Sequence, residues 1–558
     1  MASQQRGTAV APWGAAAIAL AIAALHLALV AGLPVWIFGT GALDDALYLR
    51  GAEHLAAGDW LGPYDNRTLA RGPFYPAFLA LASSAGMPIR AAQSALYLTA
   101  GALLLWAVRP WPGPRWTRVA AFAVFAFDPM LYHTDLLRVT REGVYVPLSA
   151  LVLALCAASL RARDAAPWVR LLWATALGNA LGAFWLTREE GPWILPGLAV
   201  GALALIVPRF GRRGARRALA RDAAVIAIAA AVAASCVALV SDLNERHYGT
   251  RCAVEFRQDA FERAYGALLR VDPERRVPFV PVTREALAHA AAAGPAAAEI
   301  AAVLLSGVKD GYVRYGCAYH HLDRCDGEFR GGWWMFALRD AAALAGHYGS
   351  GADAERFYDQ LADEIDAACA AQRIHCGPLR TGFAPPLARG DRAAIATNAL
   401  RAAGRLARFT GFELAPAAST GSERDVARAA DFLHSRVFAR GDAPPEFADR
   451  ADRLRAAALR AIAEEYPWFV PPLALAALLA CAWRIRNGVR ALETPWLAVA
   501  AMLAAAVASR VALVGVVATT SIPILDPRYL SAAYPLLLLF VGVAGAGGFE
   551  PVRRSRRR

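Results

Sequence analysis

The sequence predicts an all-α polytopic membrane protein, a bundle of about ten transmembrane helices carrying one large outer insert. Three observations carry that prediction. The 558 residues are 57% hydrophobic, with a mean hydropathy of +0.34; a soluble chain of this length carries more charge. Several apolar runs reach the roughly 20 residues that span a bilayer as a helix. Arginines gather in short segments between those runs, as in cytoplasmic loops. The net charge of +13 therefore does not point to nucleic acid. The abundance of Ala and Arg reads as the coding of a GC-rich bacterium.

The first apolar run, 11–38, is too long for a signal-peptide core, and the chain returns repeatedly to the membrane after it. It reads as a retained signal-anchor. Hydropathy places further spans at 89–108, 117–134, 143–161, 168–187, 191–208, 222–242, 467–485, 494–519 and 527–547. The connections then sort by charge. Arg109, Arg115 and Arg118 share one. Arg161, Arg163 and Arg170 share another. Arg209, Arg212, Arg213, Arg216, Arg217 and Arg221 fill a third, and Arg484, Arg486 and Arg490 a fourth; the tail 553–558 is almost all Arg. All fall on one side if the spans alternate. That side is expected to be cytoplasmic, with both termini inside. The expectation is a multi-pass bacterial inner-membrane protein whose unusual polar loops face the periplasm.

Three regions follow. Residues 1–242 form an N-terminal bundle with an outer loop at 39–76. Residues 243–466 are long enough to be a domain. Charges at helical spacing in its Ala-rich stretches 352–371 and 447–466 predict a mostly helical fold. Residues 467–558 return to the membrane and end in the basic tail.

Cys252, Cys317, Cys325, Cys369 and Cys376 lie in the insert. In an oxidising compartment the pairs Cys317/Cys325 and Cys369/Cys376 read as short disulfides. A metal site with His320, His321 and His375 is the lesser reading, because no C-x-x-C spacing is present. Cys252 is left over. Cys156, Cys236 and Cys481 lie in apolar spans and read as inert core residues.

The chemistry is expected in the outer loops. Asp44 and Asp45 adjoin the first span. Carboxylates at a membrane edge lose hydration and are rarely there without a task. The first loop also carries Tyr48, Glu53, His54, Arg71 and Tyr75. Later outer turns carry Asp128-Pro129, His133, Asp135, Arg138, Arg141 and Glu142, then Arg188, Glu189 and Glu190, then Asp526-Pro527-Arg528-Tyr529. If the helices bundle, these turns converge on a cavity with acids for deprotonation and arginines for an anion. Arg suits phosphate because its planar fork donates two parallel hydrogen bonds. Plainer readings compete. Span-end arginines snorkel, Glu189-Glu190 suits a solvated turn, Asp-Pro pairs start turns and helices, and His54 and His133 suit structural roles. Helix capping is the plain reading of Asp44-Asp45.

These motifs resemble the GT-C superfamily of integral-membrane glycosyltransferases. The resemblance is to the bacterial branch that includes protein O-mannosyltransferases and lipid A aminoarabinose transferases. Asp44-Asp45 with Tyr48 resembles its acidic pair. Gly58, Tyr64 and 71–76 (RGPFYP) resemble the rest of that loop. The turn 186–191 (LTREEG) resembles its T-R-x-E-G turn, and Arg528-Tyr529 its R-Y before the last span. The second acid is Asp where Glu is common, and the insert is longer than the family's loops.

The resemblance implies an inverting transfer of sugar from a polyprenyl-phosphate donor to an envelope acceptor: a glycolipid, polysaccharide or protein. Membrane lipids are the other expected partners. Asp44 would be the general base and Asp45 would orient it. Arg71, Arg138, Arg141, Arg188 and Arg528 would hold the donor phosphate. Tyr48, Tyr75, Glu142, Glu189, Glu190 and Tyr529 would line the pocket. No cofactor is required and no metal ligand is assigned, although an acidic pair has the chemistry to hold a divalent cation. No Gly-rich turn of a nucleotide-sugar fold is visible. The residues alone leave two other classes open: a lipid or glycan transporter, for which no inverted repeat is visible, and a non-catalytic assembly or sensor protein.

Overall fold

The computed structural model describes residues 12–548 apart from 40, 42–43, 109–113, 211–214, 273, 275–276, 384–386, 389, 440–446, 448 and 524. Arg109, Arg212, Arg213 and the arginine tail lie outside the described residues. The described chain is helical, with isolated bridges in place of strands.

The membrane part begins with α1 (Pro12–His26), α2 (Asp45–Ala56), α3 (Phe74–Ser84), α4 (Ile89–Ala107) and α5 (Arg115–Ala126). It continues with α6 (Glu142–Arg161), α7 (Pro167–Thr187), α8 (Leu195–Ile206) and α9 (Ala215–Tyr248). The insert supplies α10 (Asp259–Leu269), α11 (Arg284–Ala290), α12 (Pro295–Leu305), α13 (Asp310–Tyr319), α14 (Trp333–Leu344), α15 (Gly351–Ala370), α16 (Asp391–Arg408) and α17 (Glu423–Leu433). The chain closes with α18 (Arg450–Arg486), α19 (Pro495–Thr520), α20 (Pro527–Leu530) and α21 (Ala533–Gly548).

Among the described residues, seven helical segments are long and apolar enough to cross a membrane: Gly14–Ala31, Glu142–Arg161, Pro167–Thr187, Gly191–Arg209, Ala215–Tyr248, Arg450–Arg486 and Pro495–Thr520. The other three expected spans are also helical but depart from the ideal. The 19 residues of α4 bury Arg90, Gln93 and Ser94, which lowers the segment's hydropathy. The run at 117–134 breaks after α5, where the Asp128 carboxylate accepts from the Met130 N–H at 3.0 Å and starts a 3₁₀ turn. The last span is the 16-residue α21, preceded by the one-turn α20.

One core joins most of the membrane helices, with α6 almost wholly buried in it, and a second packs α1 against α5 and α18. Helices α7 and α9 approach through small residues: a Cβ on Gly178 would stand 2.7 Å from the Ala229 carbonyl oxygen. Small residues let apolar helices pack backbone to backbone. On the side expected to be cytoplasmic, buried Asp222 pairs with Arg170 at 2.9 Å and Arg209 at 3.0 Å.

The segment 243–466 divides among several cores, two of them large. Residues 254–376 build a helical domain of their own, onto which Leu47 and Ala70 of the first loop pack. Helices α16 and α17 instead bury Ala402, Leu406, Ala429 and Leu433 in the membrane core. Gly515 of α19 makes room for α16, since a Cβ there would lie 2.9 Å from Ala399. The structure bonds Cys317 to Cys325 and Cys369 to Cys376, with Cα separations of 5.4 and 5.7 Å. Cys252 is free and buried.

Two helices join the insert to the membrane without a break. The 34 residues of α9 and 37 of α18 extend roughly 50–55 Å at 1.5 Å per residue. A hydrocarbon core is about 30 Å thick.

Candidate functional site

The acidic pair sits where an extended segment meets three others. Trp36 N–H donates to the Leu137 carbonyl at 3.2 Å, and Val139 N–H to the Trp36 carbonyl at 3.1 Å. On the other side Gly39 N–H donates to the Thr420 carbonyl at 3.0 Å. This stitching brings Arg138 beside Asp45 at the start of α2. The Arg138 Nε donates to Asp45 at 2.8 Å, a second guanidinium nitrogen joins it, and Phe38 N–H donates at 3.0 Å. Asp45 is fully buried. Burial pushes its carboxyl up to about 6, against the pull of Arg138.

Asp44 differs in setting. Its side chain is 35% exposed and accepts from Arg71 Nη2 at 3.1 Å, with Arg138 Nη2 at 3.8 Å. One carboxylate is thus locked into the protein and the other is open. Arg71 is held by the chain itself. The next residue, Gly72, abuts the end of α7, so the first loop and the Arg188 turn share one contact.

Three further arginines, Arg141, Arg188 and Arg528, line the same cavity as Asp44. Arg141 donates to both Glu189 oxygens, at 3.1 and 2.9 Å. Arg188 donates to Glu142 at 2.6 Å and pairs with Glu190 at 3.3 Å. For Glu190, burial is outweighed by Arg188, Arg510 and Arg141, which pull its carboxyl down to about 2. The Arg528 backbone N–H is capped by Asp526 at 2.7 Å, and its guanidinium lies 5.6 Å from the Tyr529 ring centroid. Among the described residues, no carboxylate lies within 4.0 Å of that guanidinium.

These groups open into a cavity of about 1180 Å³ between the membrane helices and the insert. Asp44, Arg71, Arg138, Arg141, Glu142, Arg188, Glu190, Arg528 and Tyr529 line it. Its far wall comes from the insert and includes the apolar run 277–282, Tyr312, Tyr315, Trp333 and Phe336. The site can therefore take an anion at one end and a larger, partly apolar group at the other.

Some expected pocket residues lie elsewhere. Tyr48 and Tyr75 are buried beneath the site with ring centroids 5.0 Å apart, edge to face. They brace α2 against α3, and among the described residues neither hydroxyl finds a partner. Glu189 sits behind Arg141 and does not line the cavity. His54 bonds Asp59 at 2.8 Å and His133 bonds the Gly411 carbonyl at 3.0 Å, while Glu53 pairs with Arg428. Among the described residues, no group of three or more His, Cys, Asp or Glu side chains could hold a metal ion.

Arg510 escaped the sequence reading. It lies inside α19, is 1% exposed, donates to the Tyr529 carbonyl at 2.9 Å and reaches Glu190 at 3.5 Å. The signal was present: a lone Arg within an apolar span marks a functional position by default. The insert's aromatic wall had no sequence signal, because its residues come from separate helices.

No protein-family model and no curated protein matches this chain. Two solved structures resemble it, both crystal structures of ArnT from Cupriavidus metallidurans. The one bound to undecaprenyl phosphate is 17% identical, over 90% of this chain and 77% of that chain, with a TM-score of 0.31. The apo form is 15% identical, over 96% and 78%, with the same TM-score of 0.31. A likeness at that score carries no argument about function.

Proposed function

We propose that the chain is an inverting membrane glycosyltransferase. It moves a sugar from a polyprenyl-phosphate donor to an envelope acceptor on the periplasmic face of a bacterial inner membrane. One observation carries this reading: a half-open carboxylate, Asp44, stands among arginines at the mouth of a large cavity.

The acceptor hydroxyl attacks the anomeric carbon of the donor sugar. Its proton passes to the Asp44 carboxylate. The bond from the anomeric carbon to the phosphate oxygen breaks, and the electron pair stays on that oxygen. The leaving phosphate gains negative charge, which prepositioned arginines stabilise. Arg528 is the first candidate, because among the described residues no carboxylate lies within ion-pair range of its guanidinium. Arg71 and Arg138 follow, each able to shift from Asp44 towards the phosphate. Asp45 fixes Arg138, and Glu142, Glu189 and Glu190 fix Arg188 and Arg141. With arginines supplying the positive charge, this mechanism needs no divalent cation.

The test is turnover of a polyprenyl-phosphate sugar by the purified protein, with donor binding measured separately. Wild-type protein that neither binds the donor nor transfers sugar from it would sink the proposal.

A further inference from the structure

The far wall of the cavity carries a cluster of rings. The Tyr315 and Trp333 centroids are 5.6 Å apart with planes 26° from parallel, and Tyr312 lies 6.0 Å from Trp333. All three line the cavity, and Tyr315 is 61% exposed. An exposed ring in such a cluster, facing a cavity, calls for an occupant. Polar groups border the rings. Asp340 accepts from the Tyr312 hydroxyl at 2.9 Å and from Lys309 at 3.1 Å. Arg67 lines the same space and, among the described residues, has no carboxylate in ion-pair range.

Helix α14 links this cluster to the acidic pair. Trp333, Phe336 and Asp340 stand at i, i+3 and i+7, so they share one face. Phe336 lies 5.1 Å from the Arg71 guanidinium, and Arg71 holds Asp44. Three residues advance a helix by only about 4.5 Å. The ring cluster is therefore about one turn from the residue that touches the catalytic arginine.

We propose that this cluster is the acceptor subsite and that the acceptor is a saccharide. This rests on the glycosyltransferase reading of the same cavity. A pyranose has an apolar C–H face and a rim of hydroxyls. The C–H face matches an aromatic surface with its negative π-face, and the rim matches the donors Lys309 and Arg67 and the acceptor Asp340.

The experiment is binding of the full-length protein, in lipid nanodiscs, to a printed array of bacterial surface glycans. Binding of undecaprenyl phosphate is measured on the same preparation. The wild type should retain a subset of the glycans. Tyr315→Ala and Trp333→Ala should each weaken that binding about tenfold, with undecaprenyl phosphate affinity unchanged. Tyr315→Ala removes an exposed ring, so it remains informative even if Trp333→Ala fails to fold. A wild type that binds undecaprenyl phosphate but no glycan overturns the subsite and leaves the donor reading standing. Unchanged glycan affinity in a folded Tyr315→Ala variant also overturns it. Glycan binding without undecaprenyl phosphate binding removes the donor reading and overturns the cluster's role as an acceptor subsite, leaving only a saccharide site.

Discussion

Gly72 and the Leu186 carbonyl are in direct backbone contact: a Cβ at Gly72 would stand 1.9 Å from the Leu186 oxygen. No flexible side chain is there to yield. Gly72→Ala must push the first loop away from the end of α7, and Arg71 and Arg188 flank that contact. Displacing catalytic groups by about 1 Å can cost around a hundredfold in rate. We expect Gly72→Ala to lose turnover by at least about tenfold while the protein still folds in detergent. Normal turnover would show that the loop's seat on α7 does not position the site.

Asp44→Asn keeps volume and removes the proton acceptor. Turnover should fall by roughly two to four orders of magnitude, with donor binding retained. Arg71→Ala and Arg528→Ala should instead weaken donor-lipid binding, because a phosphate loses a charge-assisted partner. Titration with a polyprenyl phosphate separates the two classes. If Asp44→Asn and Arg71→Ala both leave turnover and affinity near wild type, the site is elsewhere.

Acid should loosen the Glu190 network. The folded-state carboxyl is held at about 2, below its usual 4.5. A depressed carboxyl contributes stability that is present above 4.5 and lost as pH falls towards 2. Melting temperatures at pH 5 and pH 3 should differ more for wild type than for Glu190→Gln. An equal difference would remove Glu190 from the acid response.

Thiol labelling of unreduced, denatured protein should modify Cys156, Cys236, Cys252 and Cys481 and spare the four bonded cysteines. Each short loop should contribute about 2.5 kcal/mol by the chain-entropy relation. Full labelling at Cys317 and Cys369 would contradict the pairing.

The arginine asymmetry leads us to expect that the insert faces the periplasm. A reporter fused near Gly349, in the insert, should behave as periplasmic. Cytoplasmic behaviour would invert the topology and put the cavity on the wrong side for the proposed donor.

Much of this was legible in the sequence, for physical reasons. Long apolar runs such as 495–520 can satisfy their backbone in lipid only as helices. The outer turns carrying Asp44, Arg138, Arg188 and Arg528 could be grouped because charge fixed their common side. Spacing could not reveal depth. Tyr48 and Tyr75 share the first loop with the acidic pair in sequence, yet helix geometry turns both rings into the core. Helix α16 was hidden by its polarity: its arginines mask a narrow stripe, Ala402 and Leu406, that docks on the membrane core. Arg510 was passed over because one charge hardly changes the average of an apolar window.

The two long helices make the insert sensitive to the bilayer itself. A thinner or thicker membrane is met by helix tilt, and an unbroken helix carries that tilt well beyond the lipid. Helix α9 has no proline and behaves as a rigid strut. Helix α18 contains Pro467, Pro471 and Pro472, so three backbone donors are missing near its entry to the membrane. We expect bending under such tilt to concentrate at those prolines and to shift the insert's aromatic wall relative to Asp44; turnover compared in bilayers of different thickness checks this.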